Sequence, residues 1–177
     1  MANENILPVR IEPGRYATGR REIAASVAIS SLLRIKEYLR DTDGDIKVNF
    51  SFAHDEENRV VIRMQTHGVL KLTCQRCMQE LDFAVDAEHI ICPIAHESEV
   101  ALLPESYEPV LLEEDFISPI AIVEEELILN LPLIPMHAED DCPIARNSAY
   151  YGENEIVEVS PDTKPFAALA ELKKKLK

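Results

Sequence analysis

Two pairs of residues carry most of the chemistry this sequence could perform. Cys74 and Cys77 form a Cys-x-x-Cys in the run Leu72-Thr73-Cys74-Gln75-Arg76-Cys77, and His137 and Cys142 form a His-x4-Cys farther along. A Cys-x-x-Cys has three uses. It is a redox dithiol where a strand feeds a helix, because the helix N-terminus lowers the thiol pKa. It is half of a metal site where a hairpin turn aims both thiolates the same way. Otherwise it is a pair of reduced thiols in a turn. The residues after Cys77 alternate as a strand, and the chain has no tryptophan, which argues against a thioredoxin-like centre. Tetrahedral zinc needs four ligands, so the pair requires two more. His137 and Cys142 are the candidates, with Cys92 as an outsider. Together Cys74, Cys77, His137 and Cys142 are a reasonable Cys3His set for Zn. The long span from Cys77 to His137 does not force the two pairs together, so metal and bare turn both stand at this point.

Other catalytic arrangements are missing. There is no Gly-rich phosphate loop or Gly-x-Ser-x-Gly elbow, and five glycines leave little room for one. His54, His67, His89 and His96 are scattered without ligand spacing, and Glu124 to Glu126 reads as a solvated helix face. The expectation is therefore a protein that is not an enzyme and has no small-molecule substrate. Arg10, Arg15, Arg20 and Arg21 dot the N-terminal arm, and Arg76 sits between the two cysteines. These five are the candidate RNA-binding residues, since arginines on an extended arm can neutralise phosphates.

The elements that must position these residues follow from periodicity. Residues 6–15 hold two prolines and a glycine and favour an extended segment. A short strand is expected between Arg21 and Ile29, then a helix from Ser30 or Ser31 to about Arg40, with Leu32, Ile35 and Leu39 as its stripe. Asp41 to Asp45 stops it at Gly44. The period then becomes two: Ile46, Val48, Phe50 and Phe52 in one strand, Val60, Ile62 and Met64 in the next, with Gly68 a break or a bulge. After the cysteines Leu81, Phe83, Val85 and Ala87 alternate in a strand reaching toward Ile94. Val110 to Leu112 reads as a short edge strand. A central helix starts at Pro119 with Ser118 as N-cap and ends before Pro132. A last helix runs from near Pro165 to Lys177. The fold class is α+β: an antiparallel meander with N-terminal, central and C-terminal helices packed against it. One domain is expected over residues 1–177, with an extended arm over about 1–20 and a loosely structured segment over about 138–163.

Composition sets the setting. At 46% hydrophobic residues a real core is available, and no apolar run reaches the ~18 residues a membrane span needs. Met1 to Asn5 lacks the basic start and apolar stretch of a secretory signal, and four uneven cysteines are no disulfide framework, so a reducing cytoplasm is the expected compartment. The net charge of −14 is uneven. Residues 1–40 carry seven Lys/Arg against four Asp/Glu, a net of +3, while residues 41–177 have a net of −17. Such a body repels nucleic acid at long range and attracts basic proteins.

The run Leu72 to Cys77, then Leu103-Pro104-Glu105-Ser106-Tyr107-Glu108-Pro109, resembles the YceD family of large ribosomal RNA subunit accumulation proteins. So do Val123-Glu124-Glu125-Glu126-Leu127 running into Leu131-Pro132, His137 and Cys142 beyond it, and the closing Pro165-Phe166-Ala167-Ala168-Leu169 with its lysines. The resemblance covers the chain from about Leu7 onward. It implies a bacterial cytoplasmic factor promoting synthesis, processing or stability of the large-subunit (23S) ribosomal RNA, without a known catalytic activity. Its implied partner is that RNA or a pre-ribosomal particle, reached directly or through a basic protein. The alternative is an acidic module that escorts a basic ribosomal protein or a processing enzyme. Many relatives carry a denser cysteine string after the Leu-Pro segment, which with the first pair resembles a zinc site. This chain keeps only His137 and Cys142 there.

Overall fold

Five strands, β1 (Glu22–Ala28), β2 (Asp45–His54), β3 (Val60–Thr73), β4 (Glu80–Ile94) and β5 (Glu108–Leu111), form one sheet in the order β1-β2-β3-β4-β5. The structure is a computed structural model that describes residues 6–144. The expected C-terminal helix, and the part of the 138–163 segment beyond residue 144, lie outside the described residues.

Period-two burial holds the sheet in register. Ile46, Val48, Phe50 and Phe52 in β2 and Ile62, Met64, Leu70 and Leu72 in β3 are almost fully buried, while Lys47, Asn49, Arg63, Gln65 and His67 face solvent. Each large apolar side chain so buried contributes roughly 1.5–3 kcal/mol. The sheet therefore has one covered face and one polar face. Over the covered face lie helix α1 (Pro13–Thr18), helix α2 (Pro119–Asn130) and the residues between β1 and β2.

The expected meander holds for β1 to β4, which pair antiparallel in sequence order. The all-antiparallel sheet does not, because β5 pairs parallel to β4, Ile91 opposite Glu108 through Ile94 opposite Leu111. The connection over residues 95–107 is long enough to carry the chain back to the level of Ile91, so that β5 lies parallel to the last four residues of β4.

Gly68 neither breaks β3 nor bulges it. The alternation runs from Ile62 to Leu72 without a phase change, and Gly68 falls on the inward side. A Cβ there would lie 2.5 Å from Ile46 Cδ1 and 3.1 Å from the Asp45 carbonyl oxygen. Close approach of β2 thus explains the glycine. Gly68→Ala is expected to cost about 1–2 kcal/mol, overpacking outweighing the gain from a stiffer unfolded chain. A lower urea midpoint at unchanged slope checks it.

The helix expected from Ser30 to about Arg40 is replaced by two 3-10 turns, Ile29–Ser31 and Ile35–Tyr38, with Leu32 extended between them. In a helix the N–H groups of Arg34 and Ile35 would bond to the carbonyls of Ser30 and Ser31. Here both donate to the Glu124 carboxylate of α2, and Leu32 and Ile35 are both completely buried. A tertiary acceptor has taken over the helix's hydrogen bonds. The expected extended arm also needs correction, since Pro13–Thr18 is helical. Pro13 stands in the first turn, where its missing N–H has no partner to lose. Before it, Ile11 bridges Ile117 in both directions, at 3.0 and 2.9 Å, tying the arm to the entry of α2.

α2 begins at Pro119 as expected, although Ser118 makes no side-chain cap bond. Val123 and Leu127 are buried, but the glutamate run is no solvated face: Glu124 and Glu126 are buried and only Glu125 is exposed.

Candidate metal centre

The inward alternation of β3 extends one residue past the strand and buries Cys74 completely. Cys74 N–H donates to the Gln79 carbonyl at 2.9 Å and Met78 N–H to the Cys74 carbonyl at 2.8 Å, closing a tight turn before β4. The turn needs Met78 in the left-handed region, at φ 60°, an unusual conformation for a side chain of this kind. Beyond α2 the chain returns alongside this turn. Gln75 N–H donates to the Pro135 carbonyl at 2.8 Å, and a helical turn from Ala138 to Cys142, with Cys142 N–H on the Ala138 carbonyl at 3.1 Å, swings Cys142 inward.

The result is convergence. Donor atoms of Cys74, Cys77, His137 and Cys142 all lie within 4.8 Å of one another, close enough to hold a metal ion. Cys77 Sγ lies 3.4 Å from His137 Nδ1. Sulfur and nitrogen ligands on one tetrahedral ion stand roughly 3.5 Å apart, given bonds of about 2.3 and 2.0 Å. His137 Nε2 lies 2.8 Å from the Glu80 carbonyl oxygen and donates its proton there, which leaves the Nδ1 lone pair facing the thiols. That outer bond is the orientation a metal-binding imidazole needs. The His137 main-chain N–H points at Cys74 Sγ at 3.4 Å.

The pKa shifts here run in both directions, and of Cys74, Cys77 and His137 only Cys74 is lowered. Burial pushes Cys74 up, but main-chain donors of His137, Cys77 and Arg76 and the Cys77 thiol outweigh it, and its pKa falls to about 6. Cys77 is raised, by burial and by the neighbouring Cys74 and Cys142 thiols, despite the Gln79 N–H. Burial lowers the His137 imidazole, yet the Cys74 thiol and the Glu80 carbonyl leave it raised. Cys92, the outsider, is buried in β4 with its thiol on the Val60 carbonyl, and burial raises its pKa.

The candidate arginines do not form one patch. Arg15, Arg20 and Arg21 are exposed around the C-terminal end of α1, with Arg21 over the Tyr16 ring at 4.9 Å. Arg10 lies 3.4 Å from Glu114 and over the Phe116 ring. Arg76 is half-buried against Met136 in the cysteine turn, at the opposite end of β3, about 35 Å along the strand from the end that α1 covers.

A second cluster was not legible in the motifs. His89, inward-facing on β4, has Nδ1 at 2.9 Å from Glu108 Oε1 and 3.1 Å from Glu126 Oε2. The signal available was parity: His89 continues the inward series Phe83, Val85, Ala87. Its ring is set the opposite way from His137. Asn130 Nδ2 donates to the Glu126 carbonyl at 2.8 Å and stands 3.2 Å from His89 Nε2. Nε2 therefore accepts, and Nδ1–H points at the carboxylates.

Glu126 is raised to about 7, by burial first and by the facing Glu108 carboxylate next, with His89 pulling it back. A carboxyl with a folded pKa above its ordinary 4.5 binds its proton more tightly folded than unfolded. Its contribution is complete below about pH 4.5 and is lost as the pH rises through about 7. Relative to the parent chain, Glu126→Gln should thus gain stability progressively between pH 5 and pH 8. Paired melting curves across that window check the sign.

Fold and site together define the class: an α+β domain whose sheet end is clasped by a convergent Cys3His set, with no described helix long and apolar enough to cross a membrane. The sequence profile of the YceD family, described as large ribosomal RNA subunit accumulation protein YceD, matches residues 62–173, and the chain belongs to this family. It is 33% identical over 170 residues to the large ribosomal RNA subunit accumulation protein YceD of Haemophilus influenzae, covering 96% of this chain and 97% of that one. No solved structure matches it.

Proposed function

We propose that this chain is a non-enzymatic cytoplasmic factor supporting synthesis, processing or stability of the large-subunit ribosomal RNA. Family membership carries this reading. In it Cys74, Cys77, His137 and Cys142 hold a zinc ion that fixes the return segment after α2 to the end of the sheet. Cysteine-rich sets with one imidazole suit zinc, which brings no redox chemistry, and a closed four-ligand site leaves no open position for a substrate. RNA contact falls to Arg15, Arg20 and Arg21, the exposed arginines near the end of α1, with Arg10 and Arg76 as separate contacts. Deleting the gene should lower large-subunit RNA relative to small-subunit RNA, and a normal ratio would overturn the role. Alanine at Arg15, Arg20 and Arg21 should weaken binding to large-subunit RNA and flatten its salt dependence. An unchanged salt slope would remove those residues as the contact.

A second reading, that the acidic body engages a basic protein of the particle, is favoured by a specific observation: two facing carboxylates in the wall of a cavity. Crosslinking in cells, with RNA and protein partners both identified, separates the two routes. Recovery of RNA without any basic protein would sink the second.

A further inference from the structure

Between the arm, β5 and α2 lies an open cavity of about 1020 Å³. Val110, Ile117, Ile122 and Leu129 give it apolar walls, and Glu108 and Glu126 stand together in it. Glu126 is 6% exposed. Glu108 Oε2 is buried and has no hydrogen-bond partner among the described residues. Holding two carboxylates side by side at an apolar wall is costly, and a cation that donates to both offsets that cost.

A metal ion is the wrong cation for this geometry. It would need the Nδ1 lone pair of His89, yet Asn130 donates toward Nε2 and leaves the proton on Nδ1. Turning the amide over would set its oxygen against the Glu126 carbonyl. The walls favour something else, a cation carried on an aliphatic stem, because apolar surface and a carboxylate pair are offered in one slot. The rim adds Glu113, Glu114 and Glu125, and its two cations are already engaged: Arg10 with Glu114 at 3.4 Å and Arg34 with Glu125 at 2.5 Å.

We propose that this cavity receives an arginine or lysine side chain from a basic protein segment, its charged head group donating to Glu108 and Glu126 and its stem lying between Val110 and Leu129. The proposal rests on the reading that the chain engages a basic protein, and it names the site.

The test is an NMR titration of the full-length, ¹⁵N-labelled chain with acetyl-Leu-Arg-Leu-amide, its lysine counterpart and its citrulline counterpart, which has the same shape without the charge. The expected result is saturable shifts at amides of β5 and of α2 near Glu126, at least roughly tenfold weaker with citrulline and with Glu126→Gln. Glu108→Gln, at a side chain that is partly exposed, carries the same test if Glu126→Gln does not fold. Equal shifts from the charged and citrulline peptides, shifts confined to other elements, or binding unchanged in both variants would overturn the site. So would Mn²⁺ broadening of these same amides at micromolar concentration, which would return the cluster to a metal. If the peptides fail while a basic ribosomal protein is still crosslinked elsewhere on the chain, the site falls and the reading survives. If neither binds, both fall.

Discussion

Cys74→Ser should abolish metal binding by the purified chain and lower its melting temperature by roughly 10 °C. A structural zinc ion supplies on the order of 10 kcal/mol in small peptides that cannot fold without it. Here the sheet has its own core, with Phe50, Ile62, Met64 and Leu70 buried independently of the cysteines. The loss is therefore closer to about 3–4 kcal/mol, and a chain of this size moves by about 2–4 °C per kcal/mol. Cys74 is the most severe of the four positions because it is fully buried and receives the His137 main-chain N–H. Elemental analysis of the parent chain should find close to one zinc per molecule, and chelation should reproduce the variant's melting curve. A parent chain purified with substoichiometric zinc, and a Cys74→Ser chain that melts normally, would reduce the cluster to a thiol-lined turn.

Strands β2 and β3 were the most legible part of this sequence because their inward positions are almost all apolar and the period never slips. The reading from Ile46 to Met64 needed no tertiary information, whereas Gly68, expected as a break or a bulge, is explained only by its approach to Ile46. The same alternation, carried one residue past β3, buries Cys74, although the pattern could not say what would meet it there. The convergence of Cys74 and Cys77 with His137 and Cys142 depends on where α2 ends and on Gln75 bonding to Pro135. That is long-range geometry, to which local spacing is blind.

The misreadings share a cause. Propensity at Ser30 to Arg40 favoured a helix, but the preference per residue is only tenths of a kcal/mol and a carboxylate from α2 overrode it. The glutamates at 124 and 126 looked solvated because charged residues usually are. Their partners are two main-chain N–H groups in one case and His89 in the other, each roughly 35 to 90 residues away in sequence. The parallel seating of β5 was hidden too, since a four-residue strand carries no sign of its direction.

Those displaced hydrogen bonds make Glu124 the second residue on which a large effect is expected. Glu124→Ala should lower stability by about 2–4 kcal/mol. The substitution leaves the N–H groups of Arg34 and Ile35 without an acceptor where Glu124 was 8% exposed, and each such orphan costs about 1–3 kcal/mol. The neighbouring Arg34–Glu125 pair cannot compensate, since both side chains are about half exposed and such pairs contribute at most about 1 kcal/mol. Glu124→Gln is the informative control. It keeps an amide oxygen for the two N–H groups and gives up only the charge, so it should lose about 1 kcal/mol. Urea unfolding of the three chains, with hydrogen exchange at Arg34 and Ile35, decides the matter. If glutamine proves as damaging as alanine, charge and not hydrogen bonding holds the 3-10 turn to α2. If both are neutral, Leu32 and Ile35 keep the turn in place by packing alone, and the glutamate is not what replaced the helix.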